Sequence, residues 1–154
     1  LYLLCPLGVD IPAQRRGAKS VPLESLAQVP LILSSLGNAT RFLLEEACKR
    51  RGLEMQVVAE VAALETLRDC VVAGLAGTVL TAASVAKFHG IAGKVRRPLL
   101  LEPRIERQLL LARSRDFPST QAAEVLCRLA RDTVLDLVAG GKWPGARPLA
   151  GDGG

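Results

Sequence analysis

Between Leu31 and Leu80, apolar runs of strand length alternate with stretches of helical period, a pattern that demands strand–helix–strand units with parallel strands. Leu31-Ile32-Leu33 reads as a buried strand. The turn Ser34-Ser35-Leu36-Gly37-Asn38 follows it and leads into a helix over Ala39–Arg51, with Leu43, Leu44, Ala47 and Cys48 at core spacing and Gly52 as its stop. The plan then repeats. Met55–Ala59 is strand-like, and Ala63–Ala73 is a helix whose Leu64, Leu67, Cys70 and Val71 form one stripe, closed by Gly74. A third strand, Gly77–Leu80, feeds a short helix near Ala82–Lys87. At 154 residues and 49% hydrophobic, the chain is long enough for one core or two small lobes.

After Pro103 the pattern changes. Ile105–Ala112 reads as one long strand, and Ser119–Ala139 as an amphipathic helix with Ser119 as its N-cap and Gly140-Gly141 as its end. Its apolar stripe suits the fold's core with some dimer contact, and residues 147–154 have little to pack and are expected to be disordered. The chain opens at Leu1 without Met, in an apolar, strand-like segment that reads as cut rather than begun. Turn residues or charges interrupt every apolar run before it reaches a membrane-spanning length, so no membrane role is expected.

The net charge of +5 is spread thinly, with basic and acidic residues numbering seven and four in 1–52, five and four in 53–100, and eight and seven in 101–154. The runs Arg15-Arg16 and Lys49-Arg50-Arg51 read as solvated surface, and few aromatic residues are present for stacking, so no nucleic-acid site is expected within these residues. Cys5, Cys48, Cys70 and Cys127 lack ligand spacing and His89 is the sole histidine, so no metal, cofactor or catalytic centre is expected. Free cysteines at apolar positions suit a reducing cytoplasm.

In open α/β sheets, ligands bind where the strands end and the next helices begin. That rule selects Ser34, Ser35, Asn38 and Thr40 after the first strand, Glu60 after the second, and Thr81, Ala82 and Ser84 after the third. Hydroxyls, an amide and helix N-termini without a fixed cation suit a small polar or anionic ligand. The same residue types are also ordinary caps and turn formers, and chemistry alone does not separate the two readings.

The order of motifs resembles that of a known family. Leu23 to Leu33 (Leu23-Glu24-Ser25-Leu26-Ala27-Gln28-Val29-Pro30-Leu31-Ile32-Leu33) is similar to the "L-x-x-L-A-x-x-P-L-I-L" entry into the second lobe of LysR-type effector-binding domains. Arg41 to Ala47 followed by Arg51-Gly52-Leu53 resembles that family's "R-x-x-L-E-x-A…G-L" helix, and Gly74 to Thr81 its "G-L-G-x-T-V-L-P". Pro103-Arg104-Ile105-Glu106-Arg107 resembles its "P-x-I-x-R" crossing. Gly141 to Ala146 resembles the "G-x-W-x-G-A" close of the nitrogen assimilation control subgroup. The departures are Ala76 for the second Gly and Thr81 for Pro, both at the cleft turn.

The resemblance implies a periplasmic-binding-protein-like, two-lobed Rossmann-type α/β fold, with 30–99 as the second lobe and 1–29 with 100–146 as part of the first. It implies a transcriptional regulator that senses a small-molecule effector between its lobes, without catalysis. Promoter DNA would be bound through an N-terminal winged helix-turn-helix absent here, and the intact parent would be a homodimer or homotetramer. By carry-over, Ser34 and Ser35 stand where relatives bind an effector carboxylate, and Thr81 with Ala82 on the cleft turn. The other reading is a fragment of a periplasmic-type solute-binding protein, against which the free cysteines and the motif order argue.

Overall fold

A computed structural model describes residues 1–15, 17–88, 91, 93–114, 116 and 119–149. The chain divides into two compact units, Leu1–Arg107 and Gln108–Gly154. In the first, β3 (Leu31–Leu33), α1 (Ala39–Lys49), β4 (Val57–Glu60), α2 (Leu64–Val72), β5 (Thr78–Leu80) and the short α3 (Ala82–Val85) follow the alternation read from the sequence. β3 pairs parallel with β4, and a bridge from Leu31 to Gly77 joins it to the start of β5. That junction consists of the Ile32 amide donating to the Gly77 carbonyl at 2.8 Å and the Gly77 amide donating to the Pro30 carbonyl at 2.9 Å.

Beyond β5 the sheet turns mixed. β1 (Tyr2–Leu4) lies between β5 and β6 (Leu99–Glu102) and is antiparallel to both, while β2 (Ser20–Pro22) runs parallel to β6 at the edge. Residues 1–29 thus contribute β1 and β2 to the sheet that holds β5 of 30–99. β1 is hydrogen-bonded to β5, and Leu3, Val21, Leu23 and Leu26 share one core with Leu31, Leu33 and Leu44. A strand inserted between β5 and β6 cannot leave them without breaking two ladders.

Side chains alternate across the sheet as strand geometry requires. Leu31 and Leu33 point to the face covered by Leu44 and Cys48 of α1, and Ile32 to the opposite face with Leu67 and Val71 of α2. The helices therefore cover both faces. Gly52 and Gly74, with φ of +63° and +84°, take the left-handed conformation just past α1 and α2, as their positions predicted.

In the second unit, α4 (Gln121–Ala139) has its N-cap at Thr120, whose Oγ1 accepts from the Ala123 amide, rather than at the expected Ser119. Ser119 Oγ instead donates to Glu124 Oε1 and accepts from Arg113 Nη1. No residue of α4 is buried. The strand expected over Ile105–Ala112 is not formed: no described strand pairs with it, and Leu109, Leu110 and Leu111 are exposed. An apolar run needs a neighbour's backbone groups to become a strand, and hydropathy does not report whether that neighbour is present. The readings of His89 and of the tail beyond Leu149 lie outside the described residues.

Cys5 and Cys48 are buried free thiols. Burial pushes Cys5 up to about 12 against the opposing effect of Arg96, and burial with help from Glu24 and Glu45 pushes Cys48 up to about 11. The unfolded chain releases these protons near pH 9.0 and the folded chain keeps them. Their contribution to stability is therefore complete below that pH and is lost as pH rises toward the folded values. Urea midpoints are expected to fall between about pH 8 and 11, with a shallower fall in Cys48→Ala. Equal slopes in the two proteins would refute this role for the thiol.

Candidate functional site

The ends of β3, β4 and β5 and the starts of the helices that follow them surround a cleft of about 150 Å³. Ser34, Asn38, Thr40, Thr81 and Ser84 line it together with Val61, Ala62, Ala63, Leu64, Leu67 and Leu80. Five of the eight side chains expected from the sequence thus converge. Ser35, Glu60 and Ala82 do not line the cleft. Ser35 lies in the β3–α1 turn, where its carbonyl accepts from the Asn38 amide; Glu60 is drawn into an ion pair; Ala82 is the first residue of α3.

The cap geometry shows what the polar residues already do. Asn38 Oδ1 accepts from the Thr40 amide at 2.9 Å and, more loosely, from the Arg41 amide at 3.4 Å. Thr81 Oγ1 accepts from the Ser84 amide and donates to Ser84 Oγ at 3.1 Å. The cap reading is therefore correct for Asn38 and Thr81, while their position in the cleft leaves the binding reading standing beside it. α2 differs, because Ala63 at its N-cap offers no side chain to the first-turn amides. The positive end of a nine-residue helix lies at the cleft wall with its amides uncapped by any side chain.

The apolar lining and one cation escaped the sequence reading. Arg41, whose side chain is only 7% exposed, lines a small void next to the cleft with Ser34, Thr40, Leu33, Leu44 and Val79. Its Nε donates to Glu45 Oε1 at 2.6 Å, and its Nη2 stands 3.6 Å from Glu60 Oε1. The signal was available in the i,i+4 spacing of Arg41 and Glu45, which places the pair on one face of α1. Among the described residues no group of three or more His, Cys, Asp or Glu could hold a metal ion, and no helix is long and apolar enough to cross a membrane.

With this geometry in view, residues 2–135 match the family model of the LysR substrate binding domain. The chain belongs to that family. It is 32% identical over 120 residues to an uncharacterised HTH-type transcriptional regulator, YfeR, from Shigella flexneri, covering 78% of this chain and 38% of that protein. The LysR-family chain therefore spans well under half the length of this relative. Two solved structures share the fold. The PA01 protein of Pseudomonas aeruginosa superposes with a TM-score of 0.64 at 18% identity, covering 86% of this chain and 45% of that one. The regulatory domain of Synechocystis CcmR, solved in complex with 2-PG, superposes with a TM-score of 0.55 at 14% identity, covering 88% and 62%. The mixed α/β, periplasmic-binding-protein-like architecture is thus that of LysR substrate-binding domains.

Proposed function

We propose that this chain is the effector-sensing part of a LysR-type, DNA-binding transcriptional regulator, and that its effector is a small polar or anionic metabolite held at the cleft. The observation that carries the reading is the convergence of Ser34, Asn38, Thr40, Thr81 and Ser84 at the strand ends. A volume of about 150 Å³ is well below the roughly 300–1,000 Å³ of a complete small-molecule site, which suits one wall of a site closed by a second lobe. Ligand binding then acts by favouring one arrangement of the two lobes over another.

HTH-type relatives support a DNA-binding segment, and the likeness of Gly141 to Ala146 to the "G-x-W-x-G-A" close supports the subgroup. Promoter DNA is bound by a winged helix-turn-helix outside these residues, the working protein is a homodimer or homotetramer in the cytoplasm, and the subgroup is that of nitrogen assimilation control. No catalytic step is assigned, since the cleft holds hydroxyls and an amide but no activated nucleophile. The solute-binder alternative loses ground to a relative named as a transcriptional regulator.

The test uses the full-length protein. Small carboxylic and phosphorylated metabolites are screened by thermal shift, and the compound found is titrated into a Thr81→Ala variant. Loss of one hydrogen bond to a charged ligand is expected to weaken binding about tenfold to a hundredfold, while promoter binding without effector is unchanged. Effector affinity unchanged in Thr81→Ala and in Ser34→Ala would place the ligand elsewhere.

A further inference from the structure

The guanidinium of Arg41 is held unevenly. Nε is tied to Glu45 at 2.6 Å, whereas the 3.6 Å from Nη2 to Glu60 is an ion pair outside hydrogen-bonding range. Nη1 is buried with no hydrogen-bond partner. The void that Arg41 helps to line is too tight for a water molecule. A buried charged donor without an acceptor is costly, and native structures seldom keep one without a use. The edge left open, between Nη1 and Nη2, is one that offers two parallel N–H groups to a carboxylate or phosphate. Ser34 and Thr40 border both this void and the cleft, so the two spaces share a wall.

We propose that Arg41 is the anion anchor of the cleft and that Glu60 is an internal stand-in for the ligand. A carboxylate or phosphate group of the effector takes the Nη1–Nη2 edge and displaces Glu60. This rests on the cleft being the effector site, and adds the ligand's chemical class and a built-in competitor. Glu60 is the partner that leaves, because it is 41% exposed at the end of β4 and makes no hydrogen bond to the guanidinium. Glu45 remains as the tether that orients the fork. When the effector anion arrives as Glu60 turns to solvent, the guanidinium still faces two anions, so the exchange adds no uncompensated charge to the buried side. Entry requires the Ser34 wall to shift, which couples binding to the turn between β3 and α1.

A simple structural brace between α1 and β4 predicts the opposite sign for Glu60. Inorganic phosphate is titrated into the full chain at constant ionic strength, with chloride as the balancing anion, and amide shifts are followed by NMR. Saturable shifts at Ser34, Thr40, Arg41 and Glu60 are expected, with phosphate binding about threefold or more tighter in Glu60→Gln and about tenfold weaker in Arg41→Gln. Arg41→Lys keeps the charge but not the fork, and should fall between Arg41→Gln and the unaltered protein even if Arg41→Gln fails to fold. Weaker or unchanged binding in Glu60→Gln, or shifts that chloride reproduces, would overturn the proposal. If the metabolite found in the screen binds Arg41→Lys with unaltered affinity but is lost from Thr81→Ala, the anchor is wrong and the cleft stands. If neither substitution matters, both fall.

Discussion

Replacing Leu31 with Ala is expected to lower the free energy of unfolding by about 2–5 kcal/mol. Leu31 is fully buried in β3, pairs with Val57 of β4 and bridges to Gly77, so its side chain lies at the join of the sheet's two ladders. It belongs to the core that holds Leu33, Leu44 and Val79, and β4 and β5 on its two sides keep the site from collapsing onto the cavity. Against a total stability of about 5–15 kcal/mol the loss is a large fraction of the whole. The urea midpoint should drop with little change in slope. Leu110→Ala, at a position 78% exposed, is the control, with an expected effect within about 0.5 kcal/mol. Comparable effects from the two substitutions would mean that the core does not lie where the structure puts it.

Gly77→Ala is expected to destabilise nearly as much, although it adds only a methyl group. A Cβ built on Gly77 falls 2.6 Å from Cys5 Sγ, 3.2 Å from the Leu4 carbonyl oxygen and 3.4 Å from Val29 Cγ1. The Leu4 carbonyl belongs to β1 and does not withdraw without disturbing the β1–β5 ladder, and Cys5 Sγ is buried in the core, where turning aside displaces packed neighbours. Gly77 also supplies both hydrogen bonds that join β5 to β3. Overpacking of this kind costs about 1–3 kcal/mol. The same urea titration measures it, and Gly74→Ala makes a useful contrast: there the space is open and only the positive φ is strained. A Gly77→Ala midpoint equal to that of the unaltered protein would show that β1 yields more readily than its two ladders allow.

The pairing of hydropathy with period is why so much was legible in advance. β3, α1, β4, α2 and β5 each carry a pattern that only one kind of element satisfies, and Gly52 and Gly74 mark their helix ends because left-handed backbone favours glycine. Strand ends followed by helix starts also located the cleft, since that geometry follows from chain order alone. Ser34, Asn38, Thr40, Thr81 and Ser84 could therefore be named from their positions.

Tertiary structure decided what depends on partners distant in the chain. The affiliation of β1 rests on hydrogen bonds to Thr78–Leu80 and to Leu99 and Leu100, which no local window contains. Ile105–Ala112 has the hydropathy of a strand and no described strand to pair with. Arg41 enters the sequence reading only as the first residue of a family motif; packing buried it between Glu45 and Glu60 and left Nη1 without an acceptor. Local sequence determined which segments form elements and where the strand ends fall, because propensity and period act over a few residues. Only the fold determined strand neighbours and the environment of each charge, because those are set by contacts between segments far apart in sequence.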